Sequence, residues 1–250
     1  VFAVPHQKSL VSPIAVAAIA LTLLVAAMQR PAAAQSPVPL ELLLAVDASG
    51  SVSGAEFDLQ VTGLANAFRD PAVIAAIRSA GPGGIAVALM QWSSPGQQTM
   101  AVDWYLVSDS ASAELLAQKI TAAGRLILGE TSIDAALRFA TAEISRNNYL
   151  GRRQVIDLSG DGATNWGALP DDARDEAVAA GITINALAIV NEQPDLGQYY
   201  QDHVIGGSDA FVVQASDYGD FARAIRQKLI EEIQGRPAAK NQKNRQRKES

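Results

Sequence analysis

Glu41-Leu42-Leu43-Leu44-Ala45-Val46-Asp47-Ala48-Ser49-Gly50-Ser51 is the stretch that decides the fold. Its first part is an apolar run bounded by charge, the pattern of a strand buried on both faces. Its end is a tight group of oxygen-bearing side chains, Asp47, Ser49 and Ser51, around a glycine. Strands buried on both faces belong to parallel sheets, and ligands of such sheets bind just beyond the carboxyl ends of the strands. The oxygen cluster therefore stands where a site is expected.

Downstream, apolar runs alternate with helical patterns. The spacing predicts a helix over 57–68, then a short helix restarting at Asp70-Pro71 and ended by Gly81-Pro82-Gly83-Gly84. A second strand over 85–92 turns through Ser94-Pro95-Gly96 into a third over 99–107, an antiparallel hairpin. Helices over 112–123 and 132–146 precede a fourth strand at 155–159. A helix over 171–180 stops at Gly181, a fifth strand covers 182–190, and a helical stretch covers 196–204. A sixth strand at 210–214 and a closing helix over 217–233 complete the order. Alternation of this kind gives an α/β fold: a doubly wound, mostly parallel six-stranded sheet with one antiparallel edge strand and helices on both faces.

The two ends read differently. Lys8 stands in a short polar start, residues 14–28 are a run dominated by Ala, Leu, Val and Ile with no charge, and Ala32 and Ala34 fit the small-x-small cleavage pattern. Residues 1–34 are expected to be a secretory signal cut after Ala34. The alternative is a retained anchor, against which the run is short of the roughly 20 residues that cross a bilayer. Residues 236–250 carry six basic residues and one acidic, with no apolar periodicity, and read as a basic disordered tail. The domain is then 35–235, and the protein is expected outside the cytoplasm, in the periplasm rather than fully released, because nothing signals a further sorting step.

Composition narrows the chemistry. Without the signal's two basic residues, 18 Lys+Arg face 26 Asp+Glu, a net charge of −8, which argues against nucleic acid as a partner. The chain has no cysteine and, past residue 34, a single histidine, His203. Zinc, copper and iron–sulfur sites are thereby largely excluded, so any metal is held by oxygen.

Three segments gather at the predicted strand ends: Asp47-Ala48-Ser49-Gly50-Ser51, Gly129-Glu130-Thr131, and Ser159-Gly160-Asp161-Gly162. Taken singly, each has a plain structural role. Ser and Asp after a strand cap helices, Thr131 to Asp134 looks like a helix cap, and Gly160-Asp161-Gly162 makes a turn. Together they offer a dication hard oxygen ligands, and small hydroxyls and waters suit Mg²⁺ or Mn²⁺ better than the larger Ca²⁺. Gly50 and Gly162 are expected to let the backbone turn sharply so that the side chains converge.

This D-x-S-x-S, Thr and Asp set resembles the metal-ion-dependent adhesion site (MIDAS) of the von Willebrand factor type A (VWA) domain family, over almost all of 40–233 and including the hairpin. The chain looks similar to exported bacterial branches of that family whose function is unassigned. The resemblance implies that Ser49, Ser51 and Thr131 meet the metal through hydroxyls, and that Asp47 and Asp161 act mostly through bound water. It implies a non-enzymatic domain whose metal takes a carboxylate from a protein partner.

Two other functions remain open in the sequence. Gly50-Ser51-Val52-Ser53-Gly54 spells the nucleophile elbow of serine hydrolases, with Asp161 and His203 following in order. Against it, Ser53 and Glu56 make a capping box, and no earlier strand–helix loop is available for an oxyanion hole. The other is a structural or assembly domain in which the metal only stabilises the fold. No P-loop or dinucleotide fingerprint is present. Trp92, Trp104 and Trp166 read as core or rim packing, with Trp166 and Asn165 placed near the Asp161 loop.

Overall fold

Strand β1 (Ser36–Asp47) is buried from Val38 to its end, which its unbroken apolar run requires. In the computed structural model of the chain, residues 35–235 are described. The expected signal at 1–34 and the basic tail at 236–250 lie outside the described residues. After β1 come α1 (Gly54–Arg69), α2 (Pro71–Ala80), β2 (Ile85–Trp92) and β3 (Gln98–Val107). Then follow α3 (Ser110–Ala123), α4 (Ile133–Ser145), β4 (Tyr149–Gly160), α5 (Asp171–Ala179) and β5 (Ile182–Ile189). Helix α6 (Leu196–Tyr199) runs into a π-helical turn (Tyr200–Val204), and β6 (Val212–Ala215) and α7 (Phe221–Gln234) close the domain. Among the described residues no helix is long and apolar enough to cross a membrane.

The sheet order is β3-β2-β1-β4-β5-β6. Every pairing is parallel except the β2–β3 hairpin, so the expected α/β sheet with one antiparallel edge strand is what forms. Successive side chains of β1 point to opposite faces. Leu40, Leu42, Leu44 and Val46 pack with α1, α2, α3 and α7. Leu43 and Ala45 pack with α4, α5 and the Leu196–Val204 segment. Both faces are covered, which is why β1 and β2 carry almost no polar side chain.

Chain boundaries depart from expectation where polar residues interrupt a run. Strand β4 begins at Tyr149, not 155, because β1 pairs with it from Ser36 onward, through Gly151 and Arg153. Arg153 is useful there: its guanidinium donates to the carbonyl oxygens of Glu232 and Ile233 in the last turn of α7. Helix α7 begins at Phe221 because Asp217 first folds back, its Oδ1 accepting from the backbone N–H of Asp220 at 2.9 Å. Helix α1 starts as expected, with both bonds of the Ser53–Glu56 capping box formed.

Candidate metal site

Connections from β1 run one way to β2 and the next strand on its other side is β4. The order therefore reverses between β1 and β4, and the crevice at such a point is where ligands of open α/β sheets bind. Asp47 ends β1 opposite Trp92, and Val46 pairs with Ser159, so Asp161 emerges beside Asp47.

The first segment is folded by its own side chain. Asp47 Oδ1 accepts from the Ser49 backbone N–H at 2.7 Å, and Ala48 N–H donates to the Trp92 carbonyl at 2.9 Å. Ser49 Oγ and Ser51 Oγ are 3.1 Å apart. Ser51 Oγ donates to Asp161 Oδ1 at 2.8 Å, which joins the first and third segments. The second segment is tied to both. Gly50 N–H donates to the Gly129 carbonyl at 2.6 Å, and the Thr131 carbonyl accepts from the backbone N–H groups of Asn165 and Trp166. Thr131 N–H in turn donates to Asn165 Oδ1 at 2.9 Å. Asp47, Ser49, Ser51 and Asp161 are thus linked by side chains, while Thr131, which is buried, is tied by its backbone to Asn165 and Trp166 in the loop that follows Asp161.

The alternative uses of these residues are only partly taken up. The residue before α4 is Ser132, and neither it nor Thr131 makes a side-chain cap bond there, contrary to the expected helix cap. Neither Gly50 nor Gly162 has positive φ. The glycine the site needs is Gly160: a Cβ on it would stand 2.9 Å from Asp47 Oδ2 and 2.7 Å from the Tyr200 hydroxyl. Glu130 is exposed.

Electrostatically the site is strained toward a cation. Asp47 is fully buried, and its Oδ2 has no hydrogen-bond partner. Burial, then the charge of Asp161 opposite, push its carboxyl up to about 7 despite the bonds from Ser49. A divalent ion with its waters would relieve both causes and give Oδ2 a partner, so the residues present fit such an ion. Among the described residues no three His, Cys, Asp or Glu side chains gather to hold a metal. The donor set here is instead two carboxylates plus hydroxyls, a hard oxygen set.

Four supporting residues escaped the sequence. Arg125 donates to the carbonyls of Ala48 (2.8 Å), Ser49 (2.6 Å) and Val52 (2.8 Å), clamping the first segment from beneath. Tyr218 donates its hydroxyl to Asp161 Oδ2 at 2.9 Å. The buried Tyr200 hydroxyl donates to the Gly162 carbonyl at 3.3 Å, and burial, then Asp47 and Asp161, hold its pKa well above the usual range. Buried Gln60 donates to the Asp47 carbonyl at 3.2 Å. Asn165, placed near the Asp161 loop by the sequence, positions Thr131 by accepting from its backbone N–H. No local pattern marks these residues, because each acts across a long chain separation.

The hydrolase residues do not assemble. Ser53 Oγ accepts from Glu56 N–H in the capping box, Asp161 is engaged by Ser51 and Tyr218, and His203 Nδ1 lies 3.1 Å from Asp171. Trp92 is fully buried, as expected of core packing, whereas Trp166 is 61% exposed.

The sequence matches the family described as protein of unknown function DUF1194 over residues 37–237. No curated protein matches it in sequence. Several solved structures share its fold. Proximal thread matrix protein 1 from the mussel byssus is 15% identical, covers 80% of this chain with 46% of its own, and has a TM-score of 0.55. A structure of that protein with a zinc-occupied MIDAS motif is 16% identical, with 79% and 46% covered and a TM-score of 0.52. The pilus adhesin SpaC of Lactobacillus rhamnosus GG is 15% identical, with 80% and 31% covered and a TM-score of 0.54. The vWF domain of the pilus tip protein Mfa5 of Porphyromonas gingivalis is 13% identical, with 81% and 98% covered and a TM-score of 0.56. This chain therefore spans less than half of the byssus protein and about a third of SpaC, but nearly all of the Mfa5 domain. The chain belongs to the DUF1194 family of proteins of unknown function, and its fold is that of a von Willebrand factor type A domain.

Proposed function

We propose that the protein is an exported, non-enzymatic binding protein that engages an acidic group of a protein partner through a divalent cation, Mg²⁺ or Mn²⁺. Ser49, Ser51 and Thr131 hold the ion through hydroxyls, and Asp47 and Asp161 through the waters around it. When bound, the ion supplies an electrophilic position that a partner carboxylate can fill. Neutral hydroxyl ligands leave much of its charge uncompensated, which is what an anionic partner requires.

The observation that carries this function is Asp47 Oδ2, fully buried, without a partner, and facing a second carboxylate. An orphaned buried acceptor of this kind costs stability unless something fills the space before it. The zinc-occupied MIDAS motif of the byssus protein supports a divalent ion in a fold of this type, and the pilus adhesin and pilus tip protein support protein binding outside the cell. Calorimetric titration with Mg²⁺ and Mn²⁺ tests it. One ion per chain is expected for the wild type, none for Asp47→Ala or Asp161→Ala, and unaltered binding for Glu130→Ala. Wild-type affinity in both Asp variants would sink the site.

A further inference from the structure

The loops around the site differ sharply in what they offer a partner. Along residues 125–130 exposure alternates, with Arg125, Ile127 and Gly129 partly buried and Leu126, Leu128 and Glu130 exposed. Arg125 turns in beneath the Ser49 loop, while Leu126 and Leu128 face outward, 53% and 64% exposed. On the neighbouring β4–α5 loop, Trp166 and Leu169 are 61% and 62% exposed. The two loops adjoin through their backbones. Trp166 N–H donates to the Thr131 carbonyl, and the Ser94-Pro95 turn lies between them, with Ser94 Oγ accepting from Glu130 N–H at 2.7 Å. A Cβ on Gly167 would stand 3.3 Å from Pro95. Large apolar groups exposed together, beside a polar centre, mark an interaction surface.

The opposite side of the rim is acidic. Exposed Glu192 sits on the loop whose Gln193 accepts from Ala163 N–H, and exposed Asp217 adjoins Tyr218, which reaches Asp161. Glu56, in the first turn of α1, lies near enough to Tyr218 for its charge to act on that hydroxyl. The loops 48–57, 93–98, 126–132, 161–170, 190–197 and 215–220 contain no Lys or Arg at all. Nearby Arg125 is committed to backbone carbonyls. This rim has no free basic side chain of its own with which to pair a carboxylate, and its acidic groups repel anions except at the cation.

We propose that the partner is a peptide segment in which a metal-seeking Asp or Glu is flanked on one side by bulky apolar residues and on the other by Lys or Arg. The apolar flank packs on Leu126, Leu128, Trp166 and Leu169. The basic flank meets Glu56, Glu192 and Asp217, where opposite charge raises association rate and sets orientation. This rests on the proposed metal function and assigns the partner class to the same site.

The test is selection of a displayed library of random nine-residue peptides on the full chain in Mg²⁺, with and without chelator. Expected are peptides pairing an acid with Trp, Phe or Leu on one side and Lys or Arg on the other, captured only with metal. A synthetic peptide of the enriched sequence should lose roughly tenfold or more in affinity for Leu128→Ser with Trp166→Ser, each anchor contributing at the level of an interface hot spot. That double variant should keep wild-type Mg²⁺ titration, whereas Asp161→Ala loses metal and peptide together. Metal-dependent acidic peptides without apolar or basic flanks overturn the partner class and leave the metal function standing. Peptides indifferent to chelator, or no enrichment above the Asp161→Ala background, overturn the proposal, and the Mg²⁺ titration then shows separately whether the metal function has failed with it.

Discussion

Arg125 holds Ser49 by its backbone, its guanidinium 2.6 Å from the Ser49 carbonyl oxygen, although 76 residues separate them in the chain. It also bonds the carbonyls of Ala48 and Val52, so one side chain sets the shape of the whole Asp47–Ser51 turn. A planar fork of donors does this where a lysine's single ammonium cannot.

Arg125→Ala is therefore expected to weaken Mg²⁺ binding roughly 10- to 100-fold without removing any ligand, the scale of lost support behind metal ligands. Arg125→Lys should recover only part of it. Calorimetric titration of both variants, with circular dichroism to establish that they fold, checks this. Wild-type affinity in Arg125→Ala would show that the turn holds its shape alone.

Asp47→Asn separates the cost of the buried charge from its use. Without metal, the carboxylate is buried opposite Asp161. The amide removes that repulsion, so the chelated variant should melt at or above the chelated wild type. In Mg²⁺ the order should reverse, because the wild type gains about 2.7 kcal/mol at a hundredfold excess over Kd and the variant does not. Melting curves with and without chelator decide it.

Gly160→Ala should damage the site through volume alone. The added methyl would meet Asp47 Oδ2 and the Tyr200 hydroxyl below normal contact distance, with Trp92 at 3.2 Å. Overpacking of this kind costs about 1–3 kcal/mol. Gly50→Ala, whose Cβ would find its nearest neighbour at 3.4 Å, should lose much less. Denaturant midpoints for the two variants give the comparison.

Far from the site, Lys228 is fully buried between Asp157 and Glu232. Burial, then the charge of Asp157, outweigh Lys228 and push Glu232 from its ordinary 4.5 up to about 8. Between these values the folded protein keeps a proton that the unfolded chain has released, so the unfolded state binds fewer protons. Stability then falls as pH rises through that window, and the contribution is complete only below about 4.5. Glu232→Gln keeps the neutral shape and should flatten this decline. Melting temperatures of both proteins from about pH 5 to pH 8 test it; parallel profiles would count against it.

Ser53→Ala should cost about 1 kcal/mol through the lost cap and leave Mg²⁺ affinity unchanged, since the Ser53 side chain bonds only within its capping box. Thermal melts and titration of the same variant check both halves.

The order of elements was legible because each signal is local. An apolar run such as 42–46 has to be buried on both faces, and a Ser53-x-x-Glu56 box closes within one helical turn. The oxygen ligands were legible for a similar reason: Asp47, Ser49 and Ser51 lie within five residues, and their position at a strand end follows from the fold class. The amino-terminal half of β4 was not legible, since Gly151-Arg152-Arg153-Gln154 reads as polar loop until β1 pairs with it.

By itself, then, the sequence determined the α/β class, the antiparallel edge and the residue types a metal would need. Tertiary structure alone decided that Asp47 Oδ2 is left without a partner, that Tyr218 and Ser51 meet on Asp161, and that Leu128 and Trp166 are left exposed. The reason is range. Periodicity and capping act over a few residues, whereas the hydrogen bonds that shape this site join residues such as Ser51 and Asp161, 110 positions apart, which only the packed sheet brings within reach.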